Sequence, residues 1–361
     1  MKLASSPRPY CASSYYFRKH PLIDLQLPLD FATALPAAPL LAKAKGAPGS
    51  RRTVAPAQAA MPSPAQMAEL LQADPDYRVL RRLQSVHYFD RVAQGPIQRV
   101  VVLDTETTGL DQTRDKIIEL AMLRVDVDTA TGLPVGAVTV YDGLEDPGVA
   151  ISDQIERITG ITSAMVQGQR LDEAKVASLL ADTDLVIAHN AGFDRPFCEA
   201  RWPGFAQLPW ACSLAEIDWK KEGHGSAKLG YLAMEKGWFF EAHRAEVDCH
   251  ALLAVLGAPL PTTDGTGLGQ LLKTSASCVY RLQANQAPFE AKDLLKARAY
   301  RWHAERKVWH TRLANEALLE AELAWLKLAV YGGQPAWVQV EKMDALVKYA
   351  SRQGELLTRQ I

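Results

Sequence analysis

Between residues 99 and 257 the chain alternates short apolar runs with amphipathic segments, and that alternation leaves few folds open. Short runs that end in turn signals and are separated by helix-length amphipathic stretches point to an α/β sheet. The pattern predicts strands at 99–104, 116–126, 137–142 and 184–188. Thr131-Gly132-Leu133-Pro134 reads as the turn of a hairpin between the second and third. Helices are expected at 171–181, 192–201, 226–236 and 245–257, with Ser226 as an N-cap and Gly237 just past a C-terminus. A hairpin-started sheet continued by parallel strands and helices is the consequence.

The flanks differ in texture. Residues 1–64 are rich in Ala, Pro and Ser without a sustained period and read as a disordered tail, with Met61 and Met67 as alternative starts. Residues 65–98 read as a helical lead-in of two short helices broken at Asp74-Pro75-Asp76. Residues 270–361 read as a small, basic α+β domain, with strands at 279–282, 307–310 and 335–340, helices at 288–299 and 314–328, and a final helix. Hydrophobic residues at 48% and charges at 22% exclude a wholly disordered or collagen-like chain. No apolar run approaches the roughly 18 residues of a membrane span, and the first residues lack the apolar core of a secretory signal. Five scattered cysteines without a CxxC pair suit a reducing compartment, so a cytoplasmic protein is expected.

The net charge of −1 divides unevenly: +6 over residues 1–60, +1 over 61–99, −12 over 100–257 and +4 over 258–361. An acidic middle with basic flanks suits divalent cations in the first and a polyanion partner on the second.

Three clusters carry chemistry. Asp104-Thr105-Glu106-Thr107-Thr108-Gly109 follows a buried strand, whose frayed end is expected to turn so that both carboxylates converge on a hard cation. A plain strand-end turn accounts for the same residues. His189-Asn190-Ala191-Gly192-Phe193-Asp194 follows another apolar strand, and Asp194 falls in the first turn of a helix, where the dipole favours an acid whether or not it binds metal. His243-Arg244-Ala245-Glu246-Val247-Asp248 enters the helix at 245–257, with His243 in the preceding loop and Asp248 facing the sheet.

Taken in order, these clusters resemble the DEDD exonucleases, in the His-type branch that includes the proofreading epsilon subunit of bacterial DNA polymerase III and ribonuclease T. The likeness runs from about Arg99 to Leu256. Its first motif matches Asp104 and Glu106, its second Asp194, and its third His243 and Asp248, whose five-residue step fits the His-type branch. Ile158-Thr159-Gly160-Ile161-Thr162 looks like the family's connecting segment. The resemblance implies an α/β fold, a ribonuclease H-like mixed five-stranded sheet flanked by helices, in a domain spanning 99–258. It implies a metal-dependent 3′-to-5′ exonuclease that releases nucleoside 5′-monophosphates from DNA 3′ ends in replication or repair. Two Mg2+ or Mn2+ ions would be held by Asp104, Glu106, Asp194 and Asp248, with His243 as general base. Thr107, Thr108, Asn190 and Phe193 would meet the terminal nucleotide. An RNA-trimming exoribonuclease shares this active site, and a non-catalytic nucleic-acid or clamp-binding accessory protein is a third reading.

Residues 278–312 resemble the small Trp-turn-Lys-x-Trp units of HARP-type domains, which makes Arg301, Trp302, Lys307 and Trp309 a candidate single-strand platform. Deleting 270–361 is then expected to weaken binding of long substrates and spare a minimal dinucleotide ester. Gln26-Leu27-Pro28-Leu29-Asp30-Phe31 resembles the peptides that dock on a bacterial sliding clamp, with Gln26, Leu29 and Phe31 as anchors.

Overall fold

The computed structural model describes residues 61–361, so the clamp-like peptide with Gln26, Leu29 and Phe31 lies outside the described residues. Residues 61–74 and 75–361 are separate compact units. The first holds helix α1 (Pro64–Ala73), started by a reciprocal capping box between Ser63 and Gln66, with none of its residues buried.

In the second unit residues 77–83 are extended, not helical. Strand β1 (Arg81–Arg82) pairs in parallel with β8 (Trp238–Phe239), and Leu83 donates its N–H to the Phe239 carbonyl. The backbone groups a helix would use are spent on this pairing, while the side chain of Leu83 packs on the core. The expected lead-in of two helices is therefore one helix and two short strands, β1 and β2 (Tyr88–Phe89).

The main sheet is built from β2, β3 (Ile97–Thr107), β4 (Ile117–Asp128), β5 (Leu133–Leu144), β6 (Leu185–Ala188) and β7 (Trp210–Cys212), in the order β2-β5-β4-β3-β6-β7. β3, β4 and β5 are antiparallel neighbours, whereas β6 and β7 run parallel to β3. This is the mixed α/β arrangement that the resemblance implies, with one strand more than expected. The addition is the two-residue β2, which pairs with the outer edge of β5. β3 is central and covered on both faces, which is why Val100 to Leu103 form an unbroken apolar run with no exposure.

Two cores follow from the alternation of side chains along β3. Val100 and Val102 pack with α7 (Leu229–Glu235), α8 (Ala245–Gly257) and α9 (Gly267–Ser275). Val101 and Leu103 pack with α4 (Glu173–Leu180) and α5 (Ala191–Arg201). α2 (Asp153–Thr159), α3 (Ser163–Val166) and α6 (Ser213–Glu216) are short connectors. Ser226 does not cap α7; the N-cap position is Lys228, whose N–H donates to the Ser226 hydroxyl.

Residues 279–361 build a second sheet, entirely antiparallel, in the order β10-β11-β9-β12-β13. Its strands are β9 (Val279–Ala284), β10 (Arg301–His303), β11 (Val308–Leu313), β12 (Trp337–Met343) and β13 (Glu355–Gln360). With α10 (Lys292–Ala297) and α11 (Glu316–Trp325) it encloses its own core around Leu282, Leu323 and Val340. The chain ends in β13 and not in the expected helix, because residues 355–360 pair along β12.

Candidate active site

β3 does not fray at its catalytic end. It stays a strand through Thr107, so Asp104 and Glu106 share a face by the two-residue period and need no turn to converge. That face is the one covered by α8, and α8 brings Asp248. Carboxylate oxygens of Asp104, Glu106 and Asp248 lie within 4.8 Å of one another. A register shift between Glu106 and Thr107 opens the ladder at this point.

Asp194 reaches the site from the other face. It sits on α5, and its Oδ1 accepts from the Thr105 N–H at 3.2 Å and the Thr105 hydroxyl at 2.9 Å. The structure therefore gathers three of the four expected carboxylates and holds the fourth behind the strand, still close enough to raise the pKa of Asp104.

The approach of α8 has a local cause. His243 adopts a left-handed backbone with φ of 68°, which turns its N–H and that of Arg244 onto the Asp248 carboxylate at 2.7 and 3.2 Å. The spacing from His243 to Asp248 thus closes a helix-entry loop. The exposed His243 ring stands with Nδ1 4.0 Å from a Glu106 oxygen.

Sequence reasoning missed Glu119 and Arg244. Glu119 lies opposite Glu106 across β3 and β4, has no exposure, and accepts from Arg244 Nη2 at 2.8 Å and from the Ala245 N–H at 2.9 Å. It caps α8 from another element and so sets where Asp248 stands. A carboxylate inside the run Ile117-Ile118-Glu119-Leu120 was the available signal, since a buried charge has to be paired.

The electrostatics separate this pair from its neighbours. Burial, then Asp194, Asp248 and Glu106, raise the Asp104 pKa well above the carboxylate range. Burial and then Asp248 push Glu106 up to about 8. Burial pushes Asp194 up to about 7 and Asp248 up to about 6. Arg244, the nearby cation, is engaged by Glu119. Three hard oxygen donors with uncompensated charge fit a divalent cation.

The expected nucleotide contacts divide. Thr107 is buried and donates its hydroxyl to the Gly109 carbonyl, while the Thr108 hydroxyl bonds Asp115, so both close the loop after β3. A Cβ at Gly109 would lie 2.5 Å from the Asp115 carboxylate, which explains glycine there. Asn190 is exposed in a left-handed conformation at the start of α5, and Phe193 packs against Phe197 at 5.1 Å. His189 bonds Ser213 at 2.8 Å, and burial drives its pKa down to about 4, so it is a neutral pin between β6 and α6.

Beside Asp194, the fully buried Arg195 donates to the carbonyls of Ala345 at 3.0 Å and Lys348 at 2.7 Å. The Ala345 carbonyl also accepts from the Trp210 N–H on β7, and Lys348 Nζ reaches Glu216 at 3.3 Å. Residues 344–352 thus strap the edge of the main sheet. These contacts link positions some 150 residues apart, so deleting residues 270–361 would also remove partners of Arg195 and Trp210.

Residues 101–256 match the RNase T family, described as exonuclease. That segment is an exonuclease domain. The domain is similar to the PolC-type DNA polymerase III of Thermotoga petrophila, with 32% identity over 123 residues, 34% of this chain and 8% of that protein. The same enzyme of Bacillus subtilis is 34% identical over 27% of this chain and 6% of its own length. A putative bifunctional exonuclease/endonuclease protein of Mycobacterium tuberculosis is 31% identical over 46% of this chain and 27% of its length. The chain thus spans under a tenth of the PolC-type relatives. A solved structure of Exonuclease X with 5′ overhanging duplex DNA aligns over 47% of this chain and 99% of that one, at 24% identity and a TM-score of 0.34.

Arg301 and Trp302, adjacent on β10, point to opposite faces of the second sheet. The rings of Trp302 and the half-buried Trp309 meet at a tilt of 58° with centroids 5.5 Å apart, and Trp309 packs on the core. Lys307 is exposed in the connecting turn with φ of 49°. Among the described residues no helix is long and apolar enough to cross a membrane.

Proposed function

We propose that the protein is a metal-dependent 3′-to-5′ exonuclease that removes nucleoside 5′-monophosphates from DNA 3′ ends in the cytoplasm. The observation that carries this is the gathering of Asp104, Glu106 and Asp248 oxygens within 4.8 Å, with the nearby Arg244 engaged by Glu119, inside an exonuclease-family domain.

Asp104, Glu106 and Asp248 would hold one divalent cation, and Asp104 with Asp194 a second. Mg2+ or Mn2+ bound there supplies charge neutralisation for the scissile phosphate and makes water more acidic. The chain's own groups do the rest. Glu119 and Arg244 hold the start of α8 so that Asp248 faces β3. His243, exposed and beside Glu106, takes the proton of the attacking water as general base. The water oxygen bonds to phosphorus, the bond from phosphorus to the 3′ oxygen of the preceding nucleotide breaks, and that oxygen leaves as an alkoxide that takes a proton from solvent, while the exposed His243 returns the proton it took to solvent. Asn190 and Phe193 border the terminal nucleotide from α5, and Thr107 and Thr108 hold the loop beneath it. Residues 26–31 would tether the enzyme to a sliding clamp.

The test is a product ladder from 5′-labelled single-stranded DNA and RNA in Mg2+ or Mn2+, run beside Asp104→Ala. Stepwise loss from the DNA 3′ end, absent in the variant, supports the proposal. Preferential shortening of RNA would reassign the substrate, and no cleavage of either would refute the reading.

A further inference from the structure

The two faces of the second sheet are chemically opposite. One face carries Leu282, Ala284, Val338 and Val340 into the core beneath α11. The registers place Arg301, His310, Gln283 and Gln339 in one row on the other face, and Arg312, Arg281 and Glu341 in the next. By alternation Trp337 shares the face of Gln339, and it is 58% exposed. The rings of His303 and His310 meet edge to face at 6.1 Å.

This face is positively charged. Glu341, the acid within it, is taken by Arg281 at 2.7 Å. His310 is held below its usual pKa by burial and then by Arg281, His303, Arg301 and Arg306, which marks how many cations converge. The face also connects to the exonuclease domain. The Arg312 guanidinium lies 4.8 Å over the Tyr349 ring, and Tyr349 donates to Glu216 at the end of α6. Two residues along the strap, Ser351 bonds Gln112 in the loop that leaves β3 after Thr108.

We propose that this cationic face is a docking track for the 5′-ward part of a single-stranded nucleic acid whose 3′ end lies at the carboxylate site. Phosphates would lie against Arg301 and against Arg306, whose N–H bonds the His303 ring at 3.3 Å, and bases against Trp337 and the histidine pair. The track rests on the exonuclease reading for the placement of the 3′ end. A sheet face that mixes cations with an exposed aromatic suits a single strand, because stacking tolerates any base and the phosphates supply the counter-charge. The track is distinct from the Trp302 and Trp309 pair, which lies on the core side.

The experiment is fluorescence anisotropy of the full chain with a 5′-labelled oligothymidylate longer than ~16 nucleotides, in EDTA so that binding is read without hydrolysis. Arg301→Glu with Arg306→Glu should weaken binding about tenfold or more and flatten the dependence of log K on log salt by about 1.4. Trp337→Ala should weaken it about fivefold or more at every salt concentration. Leu318→Ala, exposed on α11, is the control, and melting midpoints check that each variant folds. Unchanged affinity in folded Arg301 and Arg306 variants would overturn the track. So would tighter, equally face-dependent binding of duplex DNA or of polyglutamate. Face-dependent binding by a protein that cuts neither DNA nor RNA would sink the exonuclease reading and leave the surface standing.

Discussion

The catalytic end of the main sheet and the second sheet both bury carboxylates, and they treat them differently. In the second sheet Glu322, 6% exposed, receives Arg298 Nε at 2.8 Å, and Glu341, 3% exposed, receives Arg281 at 2.7 Å. At the catalytic end Asp104, Glu106 and Asp248 crowd together while the nearby Arg244 is spent on Glu119. Compensation marks carboxylates that serve the fold, and a deficit of positive charge marks those kept for a ligand.

The sharpest way to break this contrast is to neutralise one carboxylate in each region. Asp104→Asn should lower turnover on the order of 10³-fold or more. In EDTA the same change should raise the melting midpoint, because it removes the cost of burying an ionisable carboxyl and then its repulsion with Asp194, Asp248 and Glu106. Glu322→Gln should lower the midpoint, because Arg298 loses its partner. Scanning calorimetry beside a nuclease assay checks both, and a lower midpoint for both variants would abolish the distinction.

The strap tests whether the two regions are separable. Arg195→Met removes a buried guanidinium that binds three carbonyls, of Ala345, Leu346 and Lys348, and pairs with Glu199, and should cost about 3 kcal/mol in urea unfolding. A chain ended before residue 344 should melt earlier than the full chain for the same reason. Equal stability of the two chains would show that the catalytic half needs none of these contacts.

The pH dependence sharpens the contrast further. Burial and then Asp248 push Glu106 up to about 8, so the metal-free folded state keeps a proton that an unfolded glutamate releases above about pH 4.3. The folded state then binds more protons than the unfolded one, and stability falls as pH rises toward 8. Between about pH 6.5 and 8 the expected loss in EDTA is about 2 kcal/mol. Mg2+ replaces the proton, so its stabilising effect should grow over the same range. A flat midpoint in EDTA from pH 6.5 to 8 would contradict the deficit of charge at Glu106.

These tests also separate what was legible in the sequence from what was not. Val100 to Leu103 announce a strand buried on both faces, and the carboxylates at Asp104, Glu106 and Asp248 are visible because each ends or enters an apolar element. Asp194 was legible as an acid at the start of α5, yet its place behind β3 depends on which face of the strand α5 covers. Glu119 stood inside an apolar run and was passed over because its partner Arg244 lies 125 residues away. Residues 77–83 carry helical spacing, but the pairing of β1 with β8 took their hydrogen bonds. The closing strand β13 depended on β12 in the same way.

The smallest effect comes from an ion pair that the contrast does not cover. Arg359 on β13 meets Glu320 on α11 at 2.5 Å, with side chains 39% and 51% exposed. The short distance suggests strength, but water screens both groups, and ordering two long side chains cancels much of the attraction. Arg359→Ala should therefore change urea-unfolding stability by less than about 1 kcal/mol. Arg281→Met, which strands the nearly buried Glu341, should cost more than that. If the two variants were equally mild, burial would not decide which carboxylates need a partner, and the uncompensated cluster at Asp104 would lose its meaning as a marker of the site.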